Sequence, residues 1–350
     1  MKTTLAVMLV LLAGSDIRAA SLPRTILVLP FENQSTQGDL NWISESFAET
    51  LTTRLAGSDR FVLGRSERDK AYNQLGIPTG VPLTLASIYR LAETLGVDWA
   101  VTGDFSVESN ILRSHALVLD VQRIKRTGPL EVSGPLEDLI DLQTRLAWRL
   151  LASQDPNFTV GSEEDFQRLF PGVRLDAYEN YIRGVLATES ESRVRFLGEA
   201  ERLNPSDHRA ALELGRFYYE QKDYENSARW LRKLDARDAN YLEALFLRGV
   251  DEFFLGHDAA AEKAFLDLSR QTPLSEVWNN LGFLQARGGR LKEAIASLVR
   301  AYAGDPTDPV FSFNLGACLW YAKKYSEALP YLREAVQLAP ADPEIHRLLG

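Results

Sequence analysis

The sequence is poor in the side chains that carry covalent and metal chemistry. Its 350 residues include one cysteine, four histidines and two methionines. One cysteine excludes an internal disulfide framework and a cysteine-rich zinc site. His115, His208, His257 and His346 stand far apart, without the His-x-x-x-His or Glu-x-x-His spacing that places two ligands on one helix face. Each reads as a surface residue, and Cys318 reads as a small packed side chain. A basic excess is also missing. Against 39 Lys and Arg there are 48 Asp and Glu, a net charge of −9. That balance argues against a nucleic-acid partner, because lysine and arginine supply most of the affinity for phosphate backbones. No GxxxxGK[ST] motif occurs, and no GxGxxG follows Val28 or Val101. Gly103-Asp104 is a poor phosphate turn, since its carboxylate repels phosphate. Ser114-His115 is a chance neighbour pair, because a triad needs convergence in space that adjacency does not supply. The expectation is a non-enzymatic protein with no catalytic residue, no metal and no cofactor.

Long apolar runs are absent beyond the first residues, so no transmembrane span is expected in the mature chain. The start has its own pattern. Lys2 precedes an apolar stretch from Leu5 to Gly14, and small and polar residues follow from Ser15 to Ser21. This is the layout of a secretory signal peptide, here residues 1–21. Leu11-Leu12-Ala13-Gly14 resembles a bacterial lipoprotein signal, but Ser15 stands where the lipidated cysteine would be. The reading is export across the inner membrane to the periplasm without a lipid anchor.

What the chain has in quantity is a repeat. Gly215, Gly249, Gly282, Gly316 and Gly350 recur with a nearly constant period, and a fixed period of this order marks a repeat architecture. Ser227, Ala261, Ala294 and Ala328 run in step, as do Pro205, Pro273, Pro306 and Pro340, with Ala239 filling the missing place. The pattern predicts helical hairpins. The glycine lets a second helix approach, the alanine meets it from the other side, Gly288-Gly289 makes a turn, and Asp305-Pro306 ends the second helix. One hairpin cannot bury its own apolar stripe, so stability comes from stacking. These residues resemble the tetratricopeptide repeat family. Trp278, Leu281, Gly282, Ala294, Ala301 and Pro306 fit its pattern, as do Leu315, Gly316, Tyr325, Ala328, Ala335 and Pro340. The resulting units are 208–241, 242–274, 275–308 and 309–342. A degenerate unit at about 175–207 has Gly184 and Pro205 closer together than the pattern requires, and an incomplete unit spans 343–350.

The first half reads differently. Thr25-Ile26-Leu27-Val28-Leu29 suits a strand buried on both faces. Ile43, Phe47, Leu51 and Leu55 mark an amphipathic helix, and Phe61-Val62-Leu63 a second strand. Ser66 opens another helix with capping-box spacing. Leu85, Ile88, Leu91 and Leu95 mark a third, and residues 97–103 a third strand. Ile111 to Arg123 is its hairpin partner, and Leu136 to Leu150 form a closing helix. The order βαβααββ(β)α predicts an α+β domain over 22–152, a mixed sheet with packed helices, followed by a linker at 153–174 and an all-α solenoid over 175–350. Leu29-Pro30-Phe31-Glu32-Asn33, Leu51 to Leu55, Phe61 to Arg65 and Leu95 to Gly103 resemble the amino-terminal domain of TolB-like and curli-secretion-protein-like (CsgG-like) envelope proteins. That resemblance implies an envelope accessory role.

In the repeat family the first helices line a concave groove. By register the inward places here include Arg216, Tyr219, Phe253, Asn280, Phe283, Arg287, Asn314 and Trp320, while Gly215, Gly249, Gly282, Gly316, Ala261, Ala294 and Ala328 are packing positions. Asparagine can hold a peptide backbone through donor and acceptor, arginine favours carboxylates, and aromatics give contact area at small entropy cost. The leading expectation is an interaction scaffold of the bacterial cell envelope that binds a protein or peptide. The alternatives are an assembly or secretion accessory that oligomerises through the N-terminal domain, and a small-ligand sensor or enzyme using that domain.

Overall fold

The computed structural model describes residues 23–341 except 79, 155–157, 159–160 and 171. The expected signal peptide and the incomplete repeat at 343–350 lie outside the described residues. The chain falls into two compact units, divided between Leu175 and Asp176.

The first unit is built on β1 (Arg24–Val28). It lies between β3 (Arg60–Leu63) and β4 (Trp99–Glu108), parallel to both. Strand β4 then pairs antiparallel with β5 (Ile111–Asp120), and β5 with β6 (Lys125–Pro135). The short β2 (Glu32–Asn33) pairs with β4. The sheet is therefore mixed, in the order β3-β1-β4-β5-β6. Parallel neighbours need long crossovers. These are α1 (Trp42–Leu55), before β3, and the pair α2 (Arg65–Leu75) and α3 (Leu85–Leu95), before β4.

Alternation along the strands decides which helix meets which face. Leu27, Ala100 and Leu119 form one cluster with Ala71 and Tyr72 of α2 and Ile88 and Leu91 of α3. The opposite face meets α1, where the Phe47 ring stacks on Phe31 at 4.4 Å and lies 5.8 Å from Phe105. Phe31 can lie there because Gly103 carries no side chain. A Cβ at that position would run into the His115 carbonyl and sit 2.5 Å from the Phe31 ring. Helix α4 (Leu139–Gln154) packs beside α1, and its buried Gln143 donates to Ser46 Oγ at 2.7 Å.

Three local details depart from the sequence reading. Ser66 is not a cap, because α2 starts at Arg65 with extended Gly64 at the N-cap. The sixth strand, left unplaced by the sequence, occupies 125–135. Part of the 153–174 segment is built into the first unit as α5 (Glu163–Gln167), capped by Ser162 and Asp165. Trp148, Phe158, Phe166 and Phe170 follow one another edge to face, and the Arg54 guanidinium lies 3.9 Å over Phe170.

The second unit stacks helical hairpins: α6 (Leu175–Leu186) with α7 (Ser190–Leu203), α8 (Arg209–Glu220) with α9 (Tyr224–Leu231), α10 (Tyr241–Phe254) with α11 (Asp258–Gln271), α12 (Ser275–Arg287) with α13 (Leu291–Gly304), and α14 (Pro309–Tyr321) with α15 (Tyr325–Leu338). The glycine series is the seam of each hairpin. A Cβ on Gly215 would meet Leu231 at 2.5 Å, on Gly249 Phe265 at 2.9 Å, on Gly282 Leu298 at 2.7 Å, and on Gly316 Leu332 at 2.7 Å. The step along the chain from glycine to partner is the same in all four. Ala261, Ala294 and Ala328 are wholly buried at the same joint. Ser227 takes that place in α9 and satisfies its hydroxyl by donating to the Gly215 carbonyl at 3.0 Å.

The degenerate hairpin has a simple geometric origin. Gly184 meets Leu197, a shorter step than in the other hairpins. Helix α6 ends at Leu186, soon after its glycine, whereas α8, α10, α12 and α14 run on for more than a further turn past theirs. Most of one helical turn is lost from the first helix, and the close contact survives. A second irregularity is α9, which has 8 residues where α7, α11, α13 and α15 have 14. The chain continues through a turn in which Asp238 accepts from His208 at 3.0 Å and from the Asp235 amide at 2.6 Å. The turn inside the hairpins also repeats: Lys222, Gly256, Gly289 and Lys323 all have φ between 60° and 79°. Of the Gly288-Gly289 pair, only Gly289 is left-handed.

Replacing Gly282 with valine should destabilise the second unit by about 1–3 kcal/mol through overpacking against Leu298. Urea denaturation followed by circular dichroism checks this; a midpoint equal to wild type would contradict the seam.

Candidate functional site

The eight residues picked from register lie on the first helices of successive hairpins, and the structure groups only some of them. Phe253 of α10 and Phe283 of α12 meet edge to face at 5.7 Å. With Val250, Phe254, Phe265, Asn280 and Leu284 they line a pocket of about 180 Å³. Arg287 lies 5.4 Å over the Phe253 ring, while its Nε pairs with Asp258 at 3.2 Å. Tyr219 connects to the pocket through other rings: it is 6.2 Å from Tyr224, which stacks on Phe254 at 4.5 Å.

Arg216, Asn314 and Trp320 lie outside that pocket. The Arg216 guanidinium holds both Glu243 carboxylate oxygens at 2.6 Å and Glu213 at 2.5 Å. Asn314 donates to the oxygen of buried Asn279 at 2.8 Å. Trp320 packs edge to face on Tyr325 at 4.7 Å, and both stay partly exposed. Sequence reasoning missed Phe254, Val250 and Asn279. The Phe253-Phe254 doublet and the Asn279-Asn280 doublet were the available signals: both phenylalanines line the pocket, while Asn280 lines it and Asn279 is buried beside it.

Two comparisons bear on this half of the chain. Residues 195–241 and 246–309 match one tetratricopeptide repeat family profile, and residues 286–350 match another. Tetratricopeptide repeats are thus matched over residues 195–241 and 246–350. Among solved structures, YrrB, described as a TPR protein with an unusual peptide-binding site, is 19% identical with a TM-score of 0.45, covering 49% of this chain and 91% of its own. MamA from Desulfovibrio magneticus RS-1 (residues 41 to the end) is 16% identical with a TM-score of 0.44, covering 49% and 99%. A further MamA crystal structure is 18% identical with a TM-score of 0.40, covering 42% and 87%. No curated protein matches the chain.

Within the repeats a buried acid departs from the pattern. Asp251 stands two places after Gly249, where the next two hairpins have Leu284 and Cys318. It is fully buried, and neither carboxylate oxygen accepts a hydrogen bond. Burial pushes its carboxyl up to about 6. The Ser227 hydroxyl opposes this only in part, because it donates to the Gly215 carbonyl instead. Adjacent Glu252 behaves oppositely. Burial acts to raise it, but hydrogen bonds from Arg232 and His257 outweigh burial and hold it low. Burial also raises the Cys318 thiol, consistent with a packed, unreactive side chain.

The remaining candidates offer little chemistry. His115 and His208 each face a carboxylate, Asp104 at 2.8 Å and Asp238 at 3.0 Å. Among the described residues no three His, Cys, Asp or Glu side chains are grouped to hold a metal. No described helix is long and apolar enough to cross a membrane. In the first unit, Arg24, Asp98, Trp99, Asp120, Gln122 and Arg123 line a polar pocket of about 120 Å³. Sites for whole small molecules take roughly 300–1,000 Å³.

Asp251 gives the second unit a pH dependence of known sign. Its folded-state pKa lies above the unfolded value of about 3.9, so the ionised form destabilises the fold. The penalty is full above pH 6 and is relieved as pH falls toward 4. Asp251→Leu, which copies Leu284, should raise stability at pH 7.5 by about 1–3 kcal/mol and abolish the gain on acidification. Urea melts at pH 7.5 and 5 measure both; an unchanged pH profile would show that Asp251 does not titrate in this range.

Proposed function

We propose that the protein is a non-enzymatic interaction scaffold of the bacterial cell envelope, holding a peptide or protein along the first-helix face of its repeats. Tetratricopeptide repeats bind proteins and peptides, and the observation that carries the reading for this chain is the pocket walled by Phe253 and Phe283 with Asn280 at its side. It joins apolar contact area to a carboxamide that can bond a peptide backbone. The envelope setting is supported by the signal-like residues 1–21 and by the likeness of residues 29–103 to TolB-like and CsgG-like domains. Serine at position 15 fits a chain that is exported without lipid. The acidic balance fits protein partners better than nucleic acid.

Two experiments test the two parts. An alkaline-phosphatase reporter fused after residue 30 should be active in bacteria; an inactive, cytoplasmic fusion would remove the envelope assignment. For the groove, Asn280→Ala with Phe283→Ala should lose most of the partners that wild type captures from envelope extract. Asn280 touches buried Asn279 through a long 3.5 Å contact, whereas removing Asn314 would take away the 2.8 Å donor to the Asn279 oxygen. Full retention of every partner would rule the face out.

A further inference from the structure

We infer that the pocket between α10 and α12 receives one large apolar side chain of a peptide that also carries a basic residue toward α8. This deepens the scaffold reading and rests on it.

The size of the pocket selects the first element. An apolar cavity of about 150 Å³ admits a benzene ring, and this one is about 180 Å³. It suits a single leucine, phenylalanine or similar side chain, and is too small for an entire cofactor. Its floor is buried Phe265, and its rim is formed by Phe254 and Phe283, which are 55% and 43% exposed. Aromatic side chains left this open, around a concave pocket, are the anchoring type of interface residue. Asn280 adds direction. Its carboxamide oxygen faces Asn279 Nδ2 at 3.5 Å, while its own Nδ2 donates to no described residue. That N–H is placed to donate to a peptide carbonyl beside the anchored side chain.

The charges around the pocket select the second element. By residue type, Arg216 and Arg287 suggest forks for a partner's carboxylates. Both guanidiniums already hold carboxylates of this chain. Arg287 is matched one to one by Asp258. Arg216 is shared between Glu213 and Glu243, so two carboxylates face one guanidinium and a negative charge is left over. Both glutamates are partly exposed. The acidic cluster and the pocket lie on neighbouring first helices of the same face, α8 to α12, and the rings of Tyr219, Tyr224 and Phe254 run between those helices. An acidic peptide would find a surplus of its own charge there, whereas a lysine or arginine complements it.

The test is a random-peptide display selection on the full-length protein, followed by fluorescence anisotropy with the recovered peptides. The expected peptides combine a Leu, Phe or Trp with a Lys or Arg. They should bind Phe283→Glu about tenfold or more weakly, and lose salt sensitivity on the Glu213→Gln, Glu243→Gln double variant. Phe254→Ser, at the more exposed rim position, repeats the pocket test with a smaller risk to folding, and thermal melts verify both variants. Recovery of acidic peptides, or equal binding to Phe283→Glu and Phe254→Ser, overturns this inference and leaves the scaffold reading intact. If wild type binds no peptide at all, both fall.

Discussion

A glycine on each first helix faces a branched or aromatic side chain of the second helix, at a separation too short for any Cβ. This contact fixes how closely the two helices lie and how they are rotated, because no other residue tolerates the approach. The rest of the second unit depends on it. In four hairpins the interval from glycine to partner is constant. In the first, from Gly184 to Leu197, it shrinks, and the helix gives up most of a turn to keep the contact. The seam is kept while the helix length varies, which is the ordering expected when stability comes from packing and not from helix propensity.

Once the seam sets the rotation of each first helix, the outward places follow. Positions two before, one after and four after the glycine share a face, and that face changes character from hairpin to hairpin. At α8 it is ionic, with Arg216 between Glu213 and Glu243. From α10 to α12 it is aromatic and opens into the pocket. At α14, Asn314 spends its donor on Asn279, and the exposed character passes to Trp320 and its neighbour Tyr321. The polar departures at the seam are few and differ in cost. Ser227 offsets its hydroxyl with a bond to the Gly215 carbonyl, whereas Asp251 buries a carboxylate without a donor.

In the first unit a similar economy of space operates through Gly103. Its missing side chain lets Phe31 reach the sheet and stack on Phe47, tying the strand that follows β1 to α1. The unbroken apolar run at residues 25–29 was legible as a strand covered on both sides, because only burial on both faces removes the alternation. The position of β6 was not legible. Its residues 125–135 include two glycine-proline steps and little apolar alternation, and they enter the sheet because β5 offers an edge. Helix α5 was hidden for a related reason. Its polar and acidic letters look like linker, while the anchoring comes from Phe158, Phe166 and Phe170, spaced too widely to show a period.

By itself the sequence determined the repeat, its period, the seam glycines and the mixed α+β character of the first half. These are set by local rules: which residues tolerate close approach, which end helices, and which pattern a covered strand must have. Tertiary structure alone decided which members of the outward face act together. Arg216 and Asn314 are drawn into contacts within the chain, Phe254 and Asn279 enter from neighbouring positions, and Asp251 becomes a buried acid. A side chain's availability depends on partners a whole repeat away along the sequence, on the adjacent hairpin. No local pattern records those partners; the stacking of one hairpin on the next supplies them.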